Sequence, residues 1–130
     1  MYCKHRFFKC NHCGNVAGLI KNKGVPMMCC GEKMIELLPN TTEASVEKHL
    51  PTVEFDKGVL TVKVGSIFHP MDDAHNINFI YVESKHGGQR KCLGVGTQPV
   101  AKFSFIEDTP IAIFAYCNLH GLWLTELKEE

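Results

Sequence analysis

Residues 52–64 read TVEFDKGVLTVKV. Leu60, Val62 and Val64 alternate with polar neighbours, the period of a strand with one buried face. Lys57-Gly58 stands between the two runs as a tight turn, so the stretch predicts a β-hairpin. The same grammar continues downstream in INFIYVES (77–84), QRKCLGV (89–95), VAKFSFIE (100–107), IAIFAYC (111–117) and LWLTELK (122–128). Gly87-Gly88, Pro99 and Pro110 punctuate these runs. Short strands at such spacing predict a β-sandwich. No segment keeps a helical period over three turns, and there is no internal repeat or low-complexity tract.

Upstream of the hairpin the grammar changes. PNTT (39–42) reads as a polar linker. Residues 1–38 hold five of the seven cysteines together with Gly14, Gly18, Gly24 and Gly31, and their apolar runs are very short. Such a segment cannot bury a sufficient core and needs a staple such as a metal. The 130 residues therefore divide into a small stapled module, 1–38, and a β-sandwich domain, 39–130. The expected fold class is all-β throughout.

Apolar residues make up 45% of the chain and charged residues 22%, as in a soluble globular protein. The formal net charge is zero, so no basic surface asks for nucleic acid. No apolar stretch approaches the roughly 20 residues of a membrane-spanning helix. The first ten residues lack a signal-peptide core, and the expected location is the cytoplasm. Thiols stay reduced there, and an odd number of cysteines cannot pair completely within one chain. Seven cysteines with seven histidines then suggest metal.

Cys10 and Cys13 form a C-x2-C knuckle, and Cys29-Cys30 follow as an adjacent pair. Four thiolates at this spacing can surround iron or zinc tetrahedrally. Two neighbouring side chains on one ion should distort that geometry. Cys3 reads as a spare thiol near a frayed terminus, and His5, His12 and His86 as surface residues. Cys92, within a strand pattern, reads as a core thiol, since free cysteine is among the most buried residue types. His49, His69, His75 and His120 fall in loops or at strand ends, where sites usually lie. Cys117 closes the apolar run 111–117, three residues before His120. Asp72-Asp73 reads as a solvated turn. By spacing alone these residues give two metal sites, one closed and one open.

The motifs EKHLP (47–51), HPMDDAH (69–75) and CNLHG (117–121), preceded by C-x2-C and CC, resemble the desulfoferrodoxins, the two-iron class of superoxide reductases. The resemblance runs over nearly the whole chain. It implies a desulforedoxin-like module with iron on Cys10, Cys13, Cys29 and Cys30, zinc being a possible substitute. It implies an immunoglobulin-like β-sandwich with a second iron held by His49, His69, His75 and His120 equatorially and by Cys117 axially. Superoxide is the implied substrate and hydrogen peroxide the product. Lys48 is implied in steering the anion and relaying protons, and Glu47 in closing the sixth iron position after product leaves. Backbone amides at Leu119 and His120 are implied to bond the axial sulfur. A small donor such as rubredoxin and a homodimer through the N-terminal module are the implied partners.

Two other readings stand beside this one. A zinc-stabilised binding domain or electron carrier explains the four cysteines but leaves the four histidines and Cys117 unused. A thiol enzyme with Cys117 as nucleophile and His120 as base has no use for His49, His69 and His75.

Overall fold

The structure is a computed structural model and describes residues 5–127. The chain divides into two compact units whose boundary falls between Leu38 and Pro39. Cys3 and Lys128 lie outside the described residues.

In the small unit, β1 (Arg6–Lys9) pairs antiparallel with β2 (Val16–Leu19) on one side and β5 (Ile35–Glu36) on the other. A separate hairpin joins β3 (Met28–Cys29) to β4 (Glu32–Lys33). Among the described residues of the small unit, the buried hydrophobic ones are Phe7 and Cys10. A bidentate Arg6–Glu36 pair, with contacts of 2.8 Å each, ties β1 to β5. That is little with which to oppose the conformational entropy of some thirty residues, about 1–2 kcal/mol each for the backbone alone.

The larger unit opens with one helical turn, α1 (Val46–His49), followed directly by β6 (Pro51–Asp56). β7 (Val59–Val64) pairs with β6, with Lys57-Gly58 as the turn between them, both at positive φ. Then come β8 (Ile77–Ser84), β9 (Gly87–Cys92), β10 (Val100–Ser104), β11 (Pro110–Cys117) and β12 (Gly121–Glu126). One sheet has the order β10-β7-β6 and the other β12-β11-β8-β9. Their inner faces supply the core. Leu60, Val62 and Val64 face Ile80, Val82, Ile113 and Ala115, with Ala101, Phe103 and Phe105 completing it. Cys117 is the last member of the inward row Ile113, Ala115, Cys117 and is fully buried. Among the described residues no helix is long and apolar enough to cross a membrane.

The structure corrects three local readings. Gly87-Gly88 is not the turn but the start of β9; Ser84 pairs with Gly87, so Lys85-His86 turn the chain. A Cβ at Gly88 would collide with the Tyr81 hydroxyl, which lies across the strand at that point. Residues 39–42 are not a free polar linker. Asn40 donates from its backbone N to Leu122 O (3.0 Å), and its side chain bonds both N and O of Leu124. Cys92 is exposed rather than in the core. It ends β9, an edge strand, opposite Phe79 on the face away from the core. The inward face of β9 is polar: Lys91 and Gln89 reach across to the carbonyls of Lys102 and Ser104 and close the open edge of the sandwich.

Candidate metal centres

Five donor residues meet at one end of the larger unit. His49 ends α1, His69 follows β7, His75 precedes β8, Cys117 ends β11 and His120 precedes β12. Their donor atoms all lie within 4.8 Å of one another. The local chain explains each placement. Leu50 N donates to Val46 O (3.0 Å), closing the turn that presents His49. His69 N donates to Val64 O (2.9 Å). Asp72 Oδ1 accepts from Ala74 N and His75 N (3.2 and 2.8 Å), an Asx turn that folds the loop beneath His75. So Asp72 is a structural member of the site rather than a solvated turn residue alone.

The imidazoles form a ring. Centroid distances are 4.5 Å for His49–His69, 4.5 Å for His69–His75, 5.0 Å for His75–His120 and 4.9 Å for His120–His49. His49 and His75 stand 6.2 Å apart, as opposite corners do. Neighbouring rings meet edge to face at 73–87°. Trp123 backs the ring, stacked on His49 at 4.9 Å, and its Nε1–H donates to His120 O (3.2 Å).

Hydrogen bonds set the tautomers. His49 Nδ1 lies 2.7 Å from Ser45 O, and His69 Nδ1 lies 2.7 Å from Pro70 O. A carbonyl only accepts, so both Nδ1 atoms carry the proton and both Nε2 atoms present lone pairs. Those two Nε2 atoms are 3.1 Å apart, and His49 Nε2 is also 3.1 Å from His120 Nδ1. His75 Nε2 is buried with no hydrogen-bond partner. Lone pairs so arranged repel unless a cation lies among them. Two nitrogens bound at right angles to one ion, each about 2.1 Å away, would be about 3.0 Å apart. The donor set therefore fits a metal.

Burial disfavours the charged forms of His49, His69 and Cys117. It lowers the pKa of His49, against the opposing bond to Ser45 O, and brings that of His69 down to about 4, against the bond to Pro70 O. Burial also raises the Cys117 thiol, while the amides of His120 and Leu119 pull the other way. His120 N sits 3.4 Å from Cys117 Sγ. A fully buried thiol with a raised pKa makes a poor free nucleophile, which weighs against the thiol-enzyme reading. Glu47 and Lys48 are exposed on α1 beside buried His49. Sequence reasoning missed Asn118, Trp123 and the carbonyls of Ser45 and Pro70. An Asn placed inside a Cys-x-x-His turn was the available signal for the first.

The second cluster lies in the small unit. The sulfurs of Cys10, Cys13, Cys29 and Cys30 are all within 4.8 Å of one another. Cys10 is buried, Cys29 half-buried, and Cys13 and Cys30 are exposed. The Cys13 and Cys29 sulfurs are 3.6 Å apart, close to the roughly 3.8 Å expected for two sulfurs about 2.3 Å from one tetrahedral ion. Cys30-Gly31 form the two-residue turn between β3 and β4, with φ of 53° and 78°. That left-handed step turns Cys30 away from Cys29, so adjacent residues reach one centre. The local strain is about 1–2 kcal/mol. The thiols do not ionise alike. Amide bonds from Cys13 lower Cys10 to about 6, whereas hydrogen bonding with Cys10 and Cys13 raises Cys29 to about 12. Four thiolates need a cation to coexist. His12 stands outside the cluster, paired with Glu32 at 3.0 Å.

The family model for desulfoferrodoxin matches residues 41–126. A desulfoferrodoxin of Syntrophotalea carbinolica is 38% identical over 123 residues, covering 95% of this chain and 97% of its own. A desulfoferrodoxin homologue of Archaeoglobus fulgidus is 38% identical over 116 residues, 89% of this chain and 92% of its own. The crystal structure of the superoxide reductase from Treponema pallidum superposes with a TM-score of 0.82 at 30% identity, covering 95% of this chain and all of that one. The chain belongs to the desulfoferrodoxin family.

Proposed function

We propose, with membership of the desulfoferrodoxin family as the premise, that this chain is a superoxide reductase. It turns superoxide, one electron and two protons into hydrogen peroxide and releases no dioxygen. The observation that carries the reading is the ring of four imidazoles closed by one buried thiol. Iron bound there would supply the electron.

His49, His69, His75, His120 and Cys117 would hold the iron. Only Cys117 brings negative charge, so with a divalent ion the centre keeps one positive charge, which suits a small anion. Lys48, exposed one residue before His49, adds to that field and holds water for proton delivery. Glu47, exposed on the same turn, would supply a carboxylate to an iron held there. The amides of His120 and Leu119 draw electron density from the Cys117 sulfur and so limit its donation.

Cys10, Cys13, Cys29 and Cys30 hold a second iron, replaceable by zinc, that staples residues 1–38; residues 39–130 are the reductase domain. The electron comes from a small donor protein such as rubredoxin, and the location is the cytoplasm, where seven thiols stay reduced. Exposed Ile20, Val25, Met28 and Ile35 on the small unit support a homodimer through that unit.

The test is anaerobic. Iron-loaded protein is reduced and pulsed with superoxide, while the optical spectrum, peroxide and dioxygen are followed. A new thiolate-to-ferric band with peroxide and no matching dioxygen is expected. A silent spectrum from protein carrying iron at both sites would overturn the proposal in favour of a metal-stabilised carrier.

A further inference from the structure

The four imidazoles are not held alike. His49 and His69 are each fixed by a carbonyl on Nδ1, and His120 is held through its backbone by Cys117 Sγ and by the indole of Trp123. Among the described residues nothing hydrogen-bonds the His75 ring, whose Nε2 is buried and unpartnered. The hydrogen bonds that act on His75 are therefore those on its backbone.

That backbone is gripped from both sides. Asp72 Oδ1 accepts from His75 N (2.8 Å), and Asp72 N donates to His75 O (3.0 Å). The residues flanking His75 are both held by Asn118. Its Nδ2 donates to Ala74 O (3.0 Å), its Oδ1 accepts from Asn76 N (2.9 Å) and its backbone N donates to Asn76 O (3.2 Å). Asn118 directly follows Cys117 in the turn that also carries His120. One side chain therefore welds the His75 loop to the Cys117–His120 turn.

We propose that Asn118 is a positioning residue that sets the His75 ring against the axial thiolate, making His75, Cys117 and His120 one rigid unit while His49 and His69 are oriented independently. This rests on the five-donor cluster being the iron site. In Asn118→Ala both side-chain bonds are lost and the two loops are joined by the backbone bond alone. In Asn118→Asp the acceptor for Asn76 N survives and the donor to Ala74 O does not. Loss of such a supporting partner typically weakens metal binding ten- to a hundredfold.

The experiment uses the full iron-loaded chain. Trp123 is its single tryptophan and stacks on His49, so its fluorescence reports this centre. Iron removal by a ferrous chelator is followed as fluorescence recovery, and the thiolate-to-ferric band is recorded after oxidation. Asn40→Ala is the matched control, since Asn40 also makes two side-chain bonds to backbone, but on β12. We expect Asn118→Ala to lose iron about ten- to a hundredfold faster with a displaced band, Asn118→Asp to fall between it and the parent, and Asn40→Ala to match the parent in both. Parental iron retention and band position in Asn118→Ala would overturn the proposal, as would an equal effect in Asn40→Ala. If iron loading leaves the parent's own fluorescence unchanged, it is the site assignment that fails, before any variant is compared.

Discussion

One methyl group at Gly65 should disturb the five-donor centre without touching a donor. A Cβ there would lie 2.5 Å from Glu47 O, 3.0 Å from Leu50 O and 3.0 Å from the Lys48 carbonyl carbon. All three are backbone atoms around the turn that presents His49, so no flexible side chain can yield. Ordinary contact begins near 3.4 Å, so one segment must retreat by about 0.9 Å, the difference between 2.5 and 3.4 Å. The retreat also pulls on two hydrogen bonds to Glu47 O, from Ile67 N (3.0 Å) and Ser66 Oγ (3.3 Å). Overpacking of this kind costs about 1–3 kcal/mol, and preorganised sites tolerate displacements of only about 0.5 Å. We expect Gly65→Ala to lose about 2 kcal/mol in denaturant unfolding followed by Trp123 fluorescence. Its iron should leave about tenfold faster. Gly94→Ala is the control. Its Cβ meets nothing nearer than Thr97 Cγ2 at 3.8 Å, and its stability should be unchanged or up to about 1 kcal/mol higher. If Gly65→Ala unfolds within about 0.5 kcal/mol of the parent and keeps its iron, the packing argument is wrong.

Three further outcomes follow from the same geometry. Lys48→Ala should slow the reaction with superoxide, by roughly tenfold at low salt, and weaken its salt dependence; an unchanged rate in pulse radiolysis at low ionic strength removes Lys48 from the mechanism. Stripping metal from the four cysteines should release fast amide exchange in β1, β2 and β5 while β7, β8 and β11 stay protected, because among its described residues the small unit buries only Phe7 and Cys10 as hydrophobic core. Exchange that stays slow in β1 would give the metal no folding role. Asp108 is raised by burial but pulled lower still by bonds from Ser84, Thr109 and His86, so its pKa falls below the ordinary 3.8. A depressed carboxyl stabilises the fold above its unfolded pKa and loses that contribution as pH falls through the folded one. Asp108→Ala should therefore flatten the acid limb of thermal stability below about pH 4, and an acid limb identical to the parent's would contradict it.

Period-two patterning carried most of the fold. Leu60, Val62 and Val64 point inward as the alternation requires, and the Lys57-Gly58 turn falls where the dipeptide places it. Features without a period stayed hidden. Cys92 has the same local pattern as a core thiol, but strand order, which no local window contains, puts it on an edge. The Cys29-Cys30 pair looked geometrically awkward because sequence does not display the left-handed φ of Cys30.

The donor letters of the larger centre were legible, yet letters carry no order. The order around the ring is a consequence of strand pairing. β6 pairs with β7, so His49 and His69, just outside those strands at Pro51 and Val64, become neighbours. Cys117 is opposite Ile77 on one side and Gly121 on the other, so His75 and His120 flank the thiol. β12 meets β6 where Thr125 Oγ1 donates to Pro51 O (2.7 Å), and this brings His120 back to His49. Only the step from His69 to His75 is closed by loop rather than by strand. That is the step where hydrogen bonds must do what pairing does elsewhere: Asp72 folds the loop there, and Asn118 ties its His75 end to the Cys117–His120 turn.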